Sequence, residues 1–222
     1  ILALGSGAIA ALTTDQVIAL STLQIAALTS TQLRALGSDA IAAIETTDLA
    51  AMTTLQVTAL TTAQIAALGT TQLSNLTTTQ LVALTSGQVA SLGTSSLNAL
   101  GTTQFTALTT SQLAALSTTQ VANLETSDLV ALTTTQVRGL QTNDLAVLGT
   151  TQIAGLGTSQ VAALTTGQLR SLGTTAIAAL ETTDLAAMTT VQIAALASSQ
   201  LAGLTTTQIA SLSTTQVAAF GT

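Results

Sequence analysis

Four short polar pairs offer the most obvious chemistry in this chain. Glu45 and Asp48, Glu125 and Asp128, Gln141 and Asp144, and Glu181 and Asp184 each stand three residues apart. Two carboxylates so placed could bind a hard cation such as calcium, which takes oxygen ligands. Gln141 removes one charge from that scheme, and calcium takes about six to eight oxygens. The pairs therefore read as structural. A long polar side chain at the first member goes with a short one at the second, so the two are expected to share a fixed polar space. No metal and no other cofactor is expected. Ser and Thr abound, but there is no His or Lys to act as a base and no Gly-rich phosphate loop. The chain is not expected to be an enzyme.

The pairs are departures from a pattern of eight. One apolar column runs Leu4, Leu12, Leu20, Leu28, Leu36, Ile44, Met52, Leu60 and so on through Leu108, Leu164 and Met188 to Phe220, with no insertion or deletion. The consensus octad is T-T-x-Q-[ILV]-A-A-L, with that column at position 8. Position 5 is always large and apolar, as in Ile25, Leu33, Val57 and Phe105. Position 2 is always Thr or Ser, from Ser6 to Thr222. Position 3 varies freely (Asp15, Leu23, Thr31, Gly87) and reads as exposed.

A continuous helix cannot carry this period. Eight residues overshoot two turns by about 80°, so an apolar stripe would wind around the axis. The chain must turn once per octad. Positions 5 and 8 share a helical face, and Ala-Ala-Leu is good helix-forming sequence. Ser and Thr are favoured N-caps, so the obligatory position 2 is expected to be the cap: Thr14, Thr22, Thr54, Thr62, Thr110, Thr134 and Thr190 are examples. Thr or Ser at position 1 with Gln at position 4 also fits a capping box, but position 1 tolerates Gly, Glu, Ala and Gln. Gly at position 1 (Gly37, Gly69, Gly101, Gly149) suits a left-handed residue ending the previous helix. The expected fold is all-α: a solenoid of short helices, one per octad, with two or so octads per turn. The alternative is a β-solenoid, because an even period keeps strand faces in register and Thr, Val and Ile favour strands. Against it, positions 5 and 8 would then point to opposite faces. A lone octad buries too little to order itself, so stacking neighbours must supply the rest.

Composition narrows function further. Charged residues make up 5% of the 222, against roughly 25% in ordinary domains. The net charge is −6, and Arg34, Arg138 and Arg170 are the only side-chain cations. Nucleic-acid binding needs many phosphate-neutralising cations and usually stacking aromatics, so none is expected. The absence of Cys removes disulfides and thiolate chemistry. Apolar runs stop at four or five residues, far short of the roughly 20 a membrane-spanning helix needs, so no transmembrane segment is expected. Arg34 precedes Glu45 and Asp48 as Arg170 precedes Glu181 and Asp184. Segments 29–68 and 165–204 are near copies 136 residues apart, which suggests duplication and an inter-layer ion pair. Asn75-Leu76-Thr77 matches a glycosylation sequon, which one match in a Thr-rich chain does little to support.

The pattern opens at position 5 (Ile1) and closes at position 2 (Thr222), without polar capping repeats. The expectation is one continuous solenoid over 1–222, a segment of a longer array. The stretch Leu60–Gln80, LTTAQIAALGTTQLSNLTTTQ, resembles the octapeptide arrays of very large secreted or surface-located, adhesin-like proteobacterial proteins. That resemblance covers the whole chain and implies an extracellular or cell-surface setting; it transfers no catalytic residue. The function expected is an extracellular structural protein that forms a filament, fibre or stalk by repeat stacking and associates with itself, end to end or laterally. The alternative is a binding module, such as an ice-binding or adhesin surface.

Overall fold

The computed structural model describes residue 1 and residues 3–221; Thr222, the last member of the position-2 column, lies outside them. Among the described residues there are 27 α-helices of four to six residues, one final 3-10 turn and no strand. Each helix occupies one octad. The helical reading of the repeat therefore holds, and the strand alternative does not.

The same backbone bonds mark the two ends of each helix. In a representative octad, Val57 N–H donates to the carbonyl of the N-cap Thr53 and opens the helix. Leu60 N–H then donates three residues back to the Val57 carbonyl and closes the helix. The next two residues are extended: Leu60 has φ −61° and ψ 143°, and Thr61 has φ −72° and ψ 161°. Those two extended residues form the corner. Among the described residues no residue has positive φ. The expected left-handed glycines are thus absent: Gly37, Gly69, Gly101 and Gly149 are extended N-cap residues with φ between −76° and −65°. A helix that ends in an extended leucine needs no left-handed residue to stop it.

The chain forms two compact units, Ile1–Ala115 and Leu116–Thr222. In the first, helix Ser6–Ala10 packs on Ser30–Ala35, that on Thr54–Ala59, then Thr78–Ala83 and Thr102–Ala107. In the second, Thr134–Gly139, Thr158–Ala163, Thr182–Ala187 and Thr206–Ser211 stack the same way. Stacked helices are every third one, so a turn holds three octads, or 24 residues. The expectation of two per turn is corrected. The period fixes where corners occur, but the angle turned at each corner is set by the dihedrals of positions 8 and 1, which no spacing encodes.

Three positions face inward. Position 5 is the most completely buried: Leu33, Leu81, Leu97 and Phe105 are all at 0% exposure. Position 8 follows closely, with Met52, Leu60 and Leu84 at 3%. The third inward position is polar. Gln64, Gln80 and Gln112 at position 4 are each 2% exposed. Position 3 is the outer surface, as expected; Leu23 there is 83% exposed.

Candidate functional site: the glutamine ladder

An uncharged amide buried in every turn must have its donors and acceptors met. The position-4 glutamine meets them in two directions. Its Oε1 accepts the backbone N–H of position 1 in its own octad, as in Thr77 N–H to Gln80 Oε1 at 3.0 Å. Its own backbone N–H donates to the position-1 hydroxyl, Gln80 N–H to Thr77 Oγ1 at 3.2 Å. Its Nε2 then crosses to the turn before, donating to the Met52 carbonyl at 2.8 Å and the Leu49 carbonyl at 2.9 Å. Those acceptors lie 28 and 31 residues back, at positions 8 and 5 of a corner one turn earlier. The position-8 carbonyl lies at the C-terminal end that a short helix leaves without an intrahelical partner, while the position-5 carbonyl also accepts the closing N–H, as Leu49 does from Met52.

The bond to position 8 recurs at 2.7–2.9 Å within each unit, from Gln32 on Leu4 to Gln112 on Leu84 and from Gln152 on Leu124 to Gln216 on Met188. Each glutamine is therefore a staple: it closes the N-terminus of one helix and ties it to the corner beneath. The sequence pattern did contain a signal of this burial. Position 4 is nearly constant while the exposed position 3 is not, and solvent does not hold a column constant.

The ladder also moves the cap. The N-caps are position-1 residues such as Thr13, Thr29, Thr53, Thr61 and Ser117, whose side chains accept the position-4 N–H. Thr14, Thr22, Thr54, Thr62, Thr110, Thr134 and Thr190 are instead the first residues inside their helices. The physical reason is spacing. A capping box joins the cap to the third helical residue, and Gln at position 4 is third only if position 1 is the cap. Tolerance at position 1 follows from the same bond. Gly69 and Ala197 offer no hydroxyl, yet their N–H groups still donate to Gln72 and Gln200 Oε1 at 2.8 Å. Position 2 serves the stacking. Ser86 Oγ donates to the Ser111 carbonyl one turn on, and a methyl added at Gly155 would clash with Thr126 Cγ2.

The four polar pairs are positions 1 and 4 of octads in which Asp replaces the stapling glutamine. The structure divides each pair: Glu45, Glu125, Gln141 and Glu181 are exposed, while Asp48, Asp128, Asp144 and Asp184 are buried. In two of the pairs the contact runs from backbone to side chain. Gln141 N–H donates to Asp144 Oδ2 at 2.9 Å and Glu181 N–H to Asp184 Oδ2 at 3.1 Å. A carboxylate cannot donate to the corner carbonyls, so it takes a hydroxyl instead. Thr22 Oγ1 donates to Asp48, and Thr158 Oγ1 donates to Asp184 at 2.8 Å, both 26 residues apart. The arginines do not pair with these acids. Arg34 Nε donates to the Ala59 carbonyl and Arg170 Nε to the Ala195 carbonyl, each at 2.8 Å, across to the end of the helix above. The expected inter-layer ion pair is replaced by an inter-layer hydrogen bond. Among the described residues no three Asp, Glu, His or Cys side chains gather as a metal site would need, and no helix is long and apolar enough to cross a membrane. A shallow surface depression is lined by Thr78, Thr79, Val82 and Ala107, none of them charged.

Asp128 is the electrostatic weak point of this scheme. It is 4% exposed and its Oδ2 has no hydrogen-bond partner. Burial, with a smaller contribution from the Glu125 carboxylate, pushes it up from 3.8 to about 6. Burial also raises Asp144, against the opposing hydrogen bond from Gln141. A carboxyl raised on folding holds its proton more tightly in the folded state. Its favourable contribution is complete below about 3.8 and is lost as pH rises through about 6. The protein should therefore melt higher at pH 5 than at pH 7.5. Asp128→Asn should flatten that difference, chiefly by raising the pH 7.5 melting temperature; an unchanged pH profile in Asp128→Asn would refute the assignment.

A family model for the ALTTAQ repeat matches residues 1–30, 41–78, 66–94, 81–118, 91–126, 121–157, 139–174 and 177–214. The chain belongs to the ALTTAQ repeat family. The six letters occur unaltered here as Ala59-Leu60-Thr61-Thr62-Ala63-Gln64. In the structure they are one functional unit: the last helical residue, the two-residue corner, and the start of the next helix up to its staple. The ALTTAQ pattern is thus the corner and its hydrogen bonds written as sequence. No curated protein matches the chain.

Proposed function

We propose that this ALTTAQ array is a structural element, one continuous stack over residues 1–222 that serves outside the cell or at its surface as a filament, fibre or stalk. The observation that supports this is the ladder. Within each unit, octad after octad presents the same amide donor to the turn before and the same corner carbonyls to the turn after, with few breaks. Such an array lengthens without new chemistry, which is what a spacer requires. Self-association is part of the proposal, because a chain with 5% charged residues offers little repulsion between neighbours. The extracellular setting rests on the resemblance to arrays of adhesin-like bacterial proteins. No catalysis is proposed. Negative-stain microscopy of the purified protein should show elongated particles or fibres, with the native protein recovered from the cell exterior. Compact globules confined to the cell interior would remove this proposal.

A binding surface is the second reading, favoured by one observation. Because position 1 supplies the caps, the position-3 hydroxyls of stacked helices stay exposed, as in the column Thr135, Ser159, Thr183 and Thr207. An ice-binding role would appear as thermal hysteresis, and its absence at high protein concentration would end that reading.

A further inference from the structure

Besides single breaks at Ser96, Asp128 and Asp144, each unit carries one pair of consecutive breaks in the ladder. Position 4 is Ala at 40 and 176 and Asp at 48 and 184, so two consecutive corners lose their glutamine. Ala offers nothing to the corner beneath. Asp accepts a threonine hydroxyl but leaves the corner carbonyls without an amide donor. In the second unit the turn built from helices Thr166–Ser171, Thr174–Ala178 and Thr182–Ala187 is stapled downward at one corner, by Gln168 on Val137 and Leu140. At its other two corners the side-chain tie downward among the described residues is the Thr158–Asp184 hydrogen bond.

The upper side of the same turn is the opposite case. Gln200, Gln208 and Gln216 all staple onto it, through Leu172, Leu180 and Met188. Arg170 adds a fourth tie, to the Ala195 carbonyl. The first unit repeats the arrangement: Gln32 and Thr22–Asp48 below, Gln64, Gln72, Gln80 and the Arg34–Ala59 bond above. The two copies lie 136 residues apart and share the Arg, Ala and Asp. Weak ties on one side and reinforced ties on the other are therefore carried together as a module.

We propose that these paired breaks are built-in opening points, at which a turn separates from the one beneath while it stays attached to the one above. Hydrophobic contact persists across the break, since Ile177 and Leu185 are at 0% exposure, so the closed state is still the ground state. What falls is the free energy of local opening, because fewer buried hydrogen bonds must be given up there. In a filament under tension this would yield extension at defined places with the rest of each unit intact.

Amide hydrogen exchange on the whole protein tests this. Helices Thr174–Ala178 and Thr182–Ala187 should exchange about tenfold faster than helices Thr78–Ala83 and Thr102–Ala107, whose staples are complete. Ala176→Gln should restore a staple onto Leu145 and Leu148 and slow exchange in those two helices by about tenfold, with Thr78–Ala83 unaffected. If Ala176→Gln fails to fold, Asp184→Gln tests the neighbouring corner in the same way. Ala154→Gln, at an exposed position, is the control and should change nothing. Equal protection of broken and unbroken turns in the wild type would overturn the proposal, as would stapling substitutions that leave exchange at the break unchanged.

Discussion

Gln80→Glu should destabilise the first unit by about 3–5 kcal/mol at neutral pH, the cost of an uncompensated buried charge. The substitution is nearly isosteric and keeps the half of the staple that accepts from Thr77 N–H. It replaces the other half, the amide donor to Leu49 and Met52, with an oxygen facing two carbonyl oxygens. At 2% exposure, water cannot compensate. Gln80→Ala should cost less, about 2–3 kcal/mol, because it leaves unpaired groups but buries no charge. The two variants should also differ in pH response. Burial and the facing carbonyls raise the glutamic acid on folding, so its protonated form is favoured in the folded state. The Gln80→Glu deficit should shrink as pH falls towards about 4.3, where the acid can donate an O–H. Denaturant melts at pH 7 and pH 4 check this. A Gln80→Glu variant no worse than Gln80→Ala at pH 7 would show that the amide donor is not what matters.

Phe105→Ala should have a comparable effect for a different reason. Phe105 is fully buried at position 5, the largest side chain at that depth. Truncation to Ala at a fully buried aromatic position typically costs about 3–5 kcal/mol through lost burial and the cavity left behind. The contrast is Leu23→Ser. Leu23 is also a large apolar residue, but at 83% exposure on position 3 it contributes almost nothing, and its loss should fall within about 0.5 kcal/mol of zero. Paired thermal melts decide it. Equal losses for Phe105→Ala and Leu23→Ser would mean that position in the octad does not determine burial.

Much of this organisation could be read from the chain. The period of eight rules out one long helix, and the spacing of positions 5 and 8 places both on one face, where Leu97 and Leu100 are indeed buried. The freedom of position 3 marks it as surface. Two things were harder. The cap lies one residue earlier than the strictest column suggests, because position 2 is held by stacking between turns, while the position-1 cap is secured through its backbone by a glutamine three residues on. The number of octads per turn depends on dihedrals at Leu60 and Thr61 and their equivalents, and nothing local in sequence reports the angle. The ladder itself joins residues 28 and 31 apart, so its acceptors are backbone groups that carry no sequence signature.

The polar pairs show the same limit from the other side. Their covariation looks like two side chains in contact, yet Glu45 is exposed and Asp48 buried on a threonine from the turn before. What reads as a pair along the chain is, in space, a substitution in the ladder.

The central claim is that three octads make one turn, with glutamine staples between turns. The chain has no native Cys, so spin labels can be placed at will. Leu55 and Thr79 are equivalent position-3 residues on stacked helices, 24 apart, and helices in contact lie about 8–10 Å apart. Labels at 55 and 79 should show the strongest dipolar broadening in electron paramagnetic resonance, clearly exceeding pairs at 55 and 71 or 55 and 87. Strongest coupling at 55 and 71 would mean two octads per turn, strongest coupling at 55 and 87 would mean four, and either result would contradict the ladder.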